Sequence, residues 1–508
     1  MMADLSQNGL MLSALLDGIT LVDLKDDREI HGVSLDSRRV NPGDCFIALS
    51  GGSRHGAEFA HAAVVAGARA ILIDDIHNDM DVFALNQAIP MVRIANLRQQ
   101  VGLIASRFFG NPSSSLDVVA VTGTNGKTTV AQLCAHALNR VRGEAGYVGT
   151  LGLGLIDELE PSINTTPDPV TLQKLFRHLH DDGCQSVAIE VSSHAIVQSR
   201  VLGTAIDVAV FTNLGHDHLD YHASRDDYAV VKKSLFQYDG IRHAVINVDD
   251  EVGRDLVAEL DRDICCWTYS MSRAHVDGCV PQRLDLVRYI GRIEYSTLIV
   301  ATPMGQVEIQ TPLLGDFNAQ NLMAALGVLM ALGIDAKAGA DALSHAPATL
   351  GRMQIIESNS ADDPVVVVDY AHTPESLARV LAALKSITTR NLVCVFGCGG
   401  ERDTTKRALM GLVAEQGADR VIITSDNPRG ENNADIAAAI LLGMRAPQRA
   451  EVVHDRACAI KSAIDMSGAL DVVLIAGKGH EARQEAAGKA QPFSDADVAY
   501  QALRGSGR

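Results

Sequence analysis

Short, uniformly apolar runs recur along this chain, separated by stretches with helical spacing. A run that is apolar at every position lies buried between two helix layers, so the pattern predicts α/β units built on mostly parallel sheets. The first block, residues 1–96, has strand-like Cys45–Leu49, Ala68–Asp74 and Pro90–Ala95, with a helical stretch over His61–Ala66 that ends at Gly67. The second, residues 97–347, opens with the strand Leu116–Thr122 running into a glycine-rich turn. Further strands are expected at Val187–Val191, Asp207–Thr212 and His243–Val248, and a helix at Asn318–Leu332. Residues 261–311 alternate apolar and polar positions, as an antiparallel extension of that sheet would. In the third, residues 348–508, strands at Val365–Tyr370, Leu392–Gly397, Arg420–Ser425, Glu451–His454 and Val472–Ala476 alternate with helices, the pattern of a doubly wound, Rossmann-like domain. The fold class expected is therefore α/β in three domains, the central one a P-loop-type sheet.

Composition narrows the function classes. The chain is 47% hydrophobic and 21% charged, ordinary for a folded globular protein, and its 508 residues exceed a single core. A net charge of −18 argues against non-specific binding to nucleic acid or to an anionic membrane. No apolar run is long enough to span a bilayer, and the apolar stretch Leu10–Leu16 is too short for a secretory core. The expectation is a cytoplasmic protein, with its nine cysteines as reduced thiols rather than bridges.

The most informative motif is Gly123-Thr-Asn-Gly-Lys-Thr-Thr129, between a buried strand and a helix expected over Val130–Asn139. Backbone N–H groups in such a turn point at phosphate oxygens, and the helix N-terminus adds positive potential. On this reading Gly123, Thr124, Asn125, Gly126, Lys127, Thr128 and Thr129 bind ATP. Lys127 reaches the β- and γ-phosphates and the Thr128 hydroxyl ligates magnesium. The loop is shorter than the general GxxxxGK[ST] pattern, which points to a particular ATP-using family.

Glu190 ends the next strand in Glu190-Val-Ser-Ser-His194, on the sheet edge that faces the ligand, where a magnesium ligand is needed. Asn213-Leu-Gly-His-Asp-His-Leu-Asp-Tyr-His222 follows another strand and has two readings. Its histidines and aspartates resemble a dinuclear metallohydrolase cluster; alternatively His218 is a magnesium ligand beside ATP, with Asp217 and Asp220 holding the loop. The ATP loop favours the second. Lys232 lies on an amphipathic helix beside Lys233, and pattern alone does not choose between them.

Together these segments resemble the Mur ligases, the ATP-dependent amide ligases of peptidoglycan precursor synthesis. Gly315-Asp-Phe-Asn-Ala-Gln-Asn321, Gly351-Arg-Met353 and Asp369-Tyr-Ala-His-Thr-Pro374 extend the resemblance over nearly the whole chain. It implies three α/β domains, the third closing over ATP, with Asn318, Arg352 and Asp369 holding the nucleotide. It also implies a carbamate on Lys232 that helps position magnesium, two ions, in a catalytic group of Lys127, Lys232, Glu190 and His218.

Within the family the resemblance is greatest to members that add meso-diaminopimelate to UDP-MurNAc-L-Ala-D-Glu. Leu35 and Ser37, with Gly52, Ser53 and Arg54, match the uridine-nucleotide site. Asn164, Thr165 and Thr166, with Ser192, Gln198 and Arg200, match contacts to the acceptor peptide. Arg402, Asp426-Asn-Pro-Arg429 (Asp426, Asn427, Pro428 and Arg429), Gly477 and Glu481 match the diaminopimelate site. There an Arg fixes a carboxylate bidentately and Glu481 pairs with an ammonium, so L-lysine, lacking the distal carboxylate, should bind poorly. The implied reaction runs through an acyl phosphate, in an expected monomer. The sequence departs from the family at Ala348-Thr-Leu350, at Gln354 and around Phe493-Ser-Asp495. Rival readings are folylpolyglutamate synthetase, which fits Leu35–Arg38 and Asp426–Arg429 poorly, a metallohydrolase, and a non-enzymatic ATP-binding regulator.

Overall fold

The computed structural model describes residues 9–51, 54–74, 89–215, 221–274, 282–358 and 360–505. Near the N-terminus four parallel strands, Gly32–Ser34, Asp44–Ala48, Ala70–Asp74 and Met91–Ile94, lie in that order. Three of them fall within two residues of their expected positions; Gly32–Ser34 is too short to announce itself. The helix Leu97–Phe108 lays Leu97, Val101, Ile104 and Phe108 on this sheet, an apolar stripe at helical spacing.

The middle of the chain forms an eleven-stranded sheet. Its parallel part runs, in space, Ala145–Gly149, Ser186–Glu190, Asp117–Thr122, Val208–Phe211, His243–Asn247, Cys265–Ser270 and Gln282–Gly291. Asp117–Thr122 shows why a buried parallel strand is apolar throughout. Val119 and Val121 pack towards the helices Lys127–Arg142 and Asp316–Ala331, while Val118 and Ala120 pack towards Phe176 and Ile189 on the other face. The antiparallel extension is the meander of Gln282–Gly291, Ser296–Thr302 and Gly305–Thr311; Cys265–Ser270, also expected in it, pairs parallel instead.

The last sheet has the order Gln354–Ile356, Val365–Asp369, Val472–Ala476, Leu392–Phe396, Arg420–Ile423 and Ala450–Val452, parallel apart from the first strand. Val472–Ala476 inserts between strands that precede it in the chain. Helices cover both faces, one core gathering around Leu377, Met410 and Ile440, the other around Ile460 and Leu503. The loops after the parallel strands open on one edge, the usual ligand crevice of such a sheet. Among the described residues every cysteine is a free thiol, Cys265 and Cys458 exposed and the others buried. No described helix is long and apolar enough to cross a membrane.

Candidate active site

The turn after Asp117–Thr122 is fixed from the neighbouring strand end. Thr124 N–H donates to Asn213 O at 2.8 Å, Asn125 N–H to Asn213 Oδ1 at 3.0 Å, and Thr212 Oγ1 to Asn125 O at 2.6 Å. Gly123 has φ 146° and a Cβ there would collide with Thr212 Oγ1; Gly126 has φ 87° and faces Asn321 Oδ1. Both glycines are therefore required by backbone and by space. The helix starts at Lys127, three residues before the expected start, so the loop is a tight cradle on a helix N-terminus. Lys127 Nζ folds back to Gly123 O at 3.0 Å and Thr124 O at 2.8 Å.

Glu190, fully buried, receives Thr128 Oγ1 at 2.9 Å on one oxygen, and Tyr147 OH at 2.6 Å and Thr150 N–H at 2.8 Å on the other. Burial, with Glu190 beside it, raises the Tyr147 phenol well above its ordinary range, so it stays a donor. Glu190 and Thr128 thus present hard oxygen donors beside the phosphate cradle, which fits magnesium. Among the described residues no group of three or more His, Cys, Asp or Glu could hold a metal by itself. Lys232 is 1% exposed; its Nζ donates to Gly123 O at 2.7 Å and lies 4.5 Å from the Tyr228 ring centre. Lys233 points away and pairs with Glu259 at 2.6 Å, a distinction the sequence pattern could not make. His218, with Asp217 and Asp220, lies outside the described residues. His222 is buried, its Nε2 2.9 Å from Ser193 Oγ.

A cleft of 350 Å³ is lined by Thr124–Thr129, Thr150, Asn164, Thr165, Glu190, Ser192, Arg200, Lys232 and, from the third sheet's side, Arg352, Tyr370 and His372. The acceptor-loop residues are ordered by one another. Thr166 Oγ1 donates to Glu190 O at 2.7 Å, and Arg200 donates to Thr166 O at 2.6 Å and to Gln198 Oε1 at 2.8 Å. Gln198 thereby steers Arg200 rather than lining the cleft. Burial lowers the pKa of Arg200.

A second opening joins this one, lined by Asn125, Gly126, Asn318, Asn321, Arg352, Asp369 and Tyr370. Asp369 accepts the N–H groups of Met353 at 2.8 Å and Ala371 at 2.7 Å, and Arg352 lies 4.4 Å over the Tyr370 ring. Burial pushes the Asp369 carboxyl up, and Arg352 opposes it. The unusual Gln354 takes the N–H of Gly351 on its side-chain oxygen at 2.9 Å, keeping that turn closed.

A separate 280 Å³ pocket lies between the first sheet and the central unit, lined by His31–Asp36, Asp44, Phe108, Asp168 and Lys174. Leu35 belongs to it. Ser37 and Arg54 lie outside its lining, Arg54 pairing with Glu58 at 2.8 Å; Gly52 and Ser53 are outside the described residues.

At the edge of the third sheet, Arg429 (φ 51°) donates to Gly400 O at 2.8 Å and lies 3.3 Å from Glu485. Exposed Arg402 and half-buried Arg429 both flank Gly399. Lys478, fully buried, bonds Asn427 Oδ1 at 3.0 Å and Glu481 Oε2 at 2.8 Å, and Asn427 also donates to Glu481 Oε2 at 2.8 Å. Burial raises Glu481, but Lys478 and Asn427 outweigh it and hold its carboxyl low; burial keeps Asp426 high. Lys478 and the Tyr147–Thr150 contacts escaped the sequence reading. Lys478 stands inside the quoted Gly477–Glu481 motif, so its type and place were there to be used.

Comparison with known proteins identifies the family. Residues 29–108 match the model described as Mur ligase family, catalytic domain; 121–329 the Mur ligase middle domain; and 351–479 the Mur ligase, glutamate ligase domain. The chain belongs to the Mur ligase family, whose members use ATP and magnesium. A Xanthomonas campestris pv. campestris (strain 8004) protein named UDP-N-acetylmuramoyl-L-alanyl-D-glutamate--2,6-diaminopimelate ligase is 44% identical over 495 residues, 97% of each chain. A solved structure of a ligase of the same name superposes with TM-score 0.72 at 34% identity, covering 98% of this chain and 99% of that one. Mycobacterium tuberculosis folylpolyglutamate synthase shares the fold, with TM-score 0.60 at 19% identity, but covers 81% of this chain against 95% of its own.

Proposed function

We propose that this chain is an ATP-dependent ligase that joins meso-diaminopimelate to the D-Glu side-chain carboxylate of UDP-MurNAc-L-Ala-D-Glu, in the cytoplasmic synthesis of peptidoglycan precursors. The observation that carries it is the one cleft in which the phosphate loop, Glu190, Lys232 and the Asn164–Thr165 acceptor loop face each other, with Arg352 on its border.

In that cleft an oxygen of the acceptor carboxylate attacks the γ-phosphorus of ATP. The bond to the bridging oxygen breaks, ADP leaves and an acyl phosphate remains. The neutral amine of diaminopimelate then adds to the acyl carbon, the nitrogen loses a proton, and the C–O bond to phosphate breaks. Lys127 and the loop N–H groups offset the charge spread over the transferred phosphoryl group. Magnesium, when bound, neutralises phosphate charge; Thr128, Glu190, His218 and Lys232 in carbamate form are the proposed ligands, for two ions. The carbamate reading is supported by the burial of Lys232 on the wall that Glu190 and Thr128 share.

We assign the three units to three tasks. The first, with helix Leu97–Phe108 in its core, holds the uridine end of the acceptor beside Leu35. Loop Asn164–Asp168 leads from there to the phosphates, since Asp168 lines the outer pocket and Asn164 the inner one. The third holds the amino acid, with Arg402 and Arg429 for its distal carboxylate and Glu481 for an ammonium. The test is phosphate release with magnesium, ATP and UDP-MurNAc-L-Ala-D-Glu, comparing meso-diaminopimelate with L-lysine. Stimulation by diaminopimelate alone is expected; stimulation by lysine instead overturns the amino-acid assignment, and release with neither overturns the reaction.

A further inference from the structure

Arg456 opens the helix Arg456–Asp465, and Asp495 opens the C-terminal helix Asp495–Gly505. Their side chains are fully buried and paired bidentately, Nε to Oδ1 and Nη2 to Oδ2, each at 2.7 Å. The same guanidinium donates to two backbone carbonyls, Ala476 O at 2.9 Å and Ser425 O at 3.3 Å. Those carbonyls immediately precede Gly477 and Asp426. They lie at the ends of Arg420–Ile423 and Val472–Ala476, strands that are not neighbours but flank Leu392–Phe396. One side chain therefore ties together, across an intervening strand, the two loops that carry Arg429 and Glu481.

We propose that Arg456, held by Asp495, is a positioning residue that sets the span of the amino-acid pocket. It touches no substrate. The planar, five-donor guanidinium suits the role because it satisfies a carboxylate and two divergent carbonyls at once, which an ammonium cannot do in one geometry. A pocket that grips a molecule at both ends depends on the distance between its grips, and a misplacement of about 1 Å is enough to cost much of the benefit.

The inference rests on the proposed amino-acid site, and wild-type preference for diaminopimelate over lysine checks that site separately. Breaking a buried pair on one side destabilises the fold, so single deletions alone are uninformative. The deciding variant is Arg456→Met with Asp495→Leu, which removes both charges and fills the space with apolar groups. Expected is a melting temperature above that of either single variant, with KM for diaminopimelate raised about tenfold or more and KM for ATP and for the nucleotide substrate within about twofold of wild type. A double variant with wild-type KM for diaminopimelate, or one in which all three KM values rise together, overturns the proposal and leaves a purely structural pair. Should that variant not fold, Arg456→Lys decides by the same three KM values, since it keeps the charge but not both carbonyl contacts.

Discussion

Glu190 collects donors from three places in the chain, and their chemistry says which substitution is tolerated. Thr128 is a hydroxyl and can turn to accept a hydrogen bond, whereas Thr150 N–H on the other oxygen can only donate. Glu190→Gln can therefore place its amide oxygen towards Thr150 and its NH2 towards Thr128. The expected result is a melting temperature close to wild type and a kcat lower by on the order of 100-fold, because the anionic oxygen beside the phosphates is gone. Lys232→Ala should abolish ligation, with partial recovery on adding a short carboxylate such as acetate; full activity without it would refute the carbamate. At this scale the sequence disclosed residues that sit in a motif or at a strand end, such as Thr128 and Glu190. It was silent on Tyr147 and Thr150, which reach Glu190 only because Ala145–Gly149 pairs beside Ser186–Glu190 in register.

The phosphate loop and the Gly477–Glu481 loop both turn a strand towards a ligand, and each carries a prediction. Gly126→Ala puts a side chain at φ 87° against Asn321, so KM for ATP should rise more than tenfold. His480 lies 5.2 Å from the Tyr370 ring, and its pKa is lowered to about 4 by burial first and by Arg352 second, with Glu481 opposing. The unfolded chain then binds a proton near pH 6.5 that the folded one refuses until about pH 4. Stability is thus lost as pH falls from 6.5 towards 4, at up to about 1.4 kcal/mol per unit from this group. His480→Gln should flatten that slope in denaturant titrations at a series of pH values. The uniform apolar run Val472–Ala476 was legible to the residue, and others, such as Val187–Val191 and Leu392–Gly397, to within one residue at each end. The hairpin of Arg483–Ala486 and Lys489–Pro492 was not, because it is mostly exposed and has no apolar pattern to read.

Across the whole molecule the opening proposed for the nucleotide is shared, Asn125 and Asn318 coming from the central sheet's unit and Arg352 and Asp369 from the third. A ligand that bridges two units stabilises both, by about 2.7 kcal/mol at a concentration 100 times its Kd. A non-hydrolysable ATP analogue with magnesium should raise the melting temperature of the wild type, and much less that of Arg352→Ala at the same concentration. The fold class could be read from alternating strands and helices. Contacts between distant segments could not, since Arg352 stacking on Tyr370, or Arg456 meeting Asp495, joins residues whose spacing follows no period.

The acceptor loop and the amino-acid loops are built on different sheets, each with its own core. On the proposed assignment, a change in which amino acid is joined can accumulate around Arg429 and Glu481 without altering the residues of the phosphate loop or of the pocket beside Leu35. The reverse holds for changes around Asn164 and Arg200. On that assignment the choice of what is extended and the choice of what it is extended with rest on separate sets of loops, and the two meet where Arg352 and Tyr370 of the third unit border the phosphate cleft.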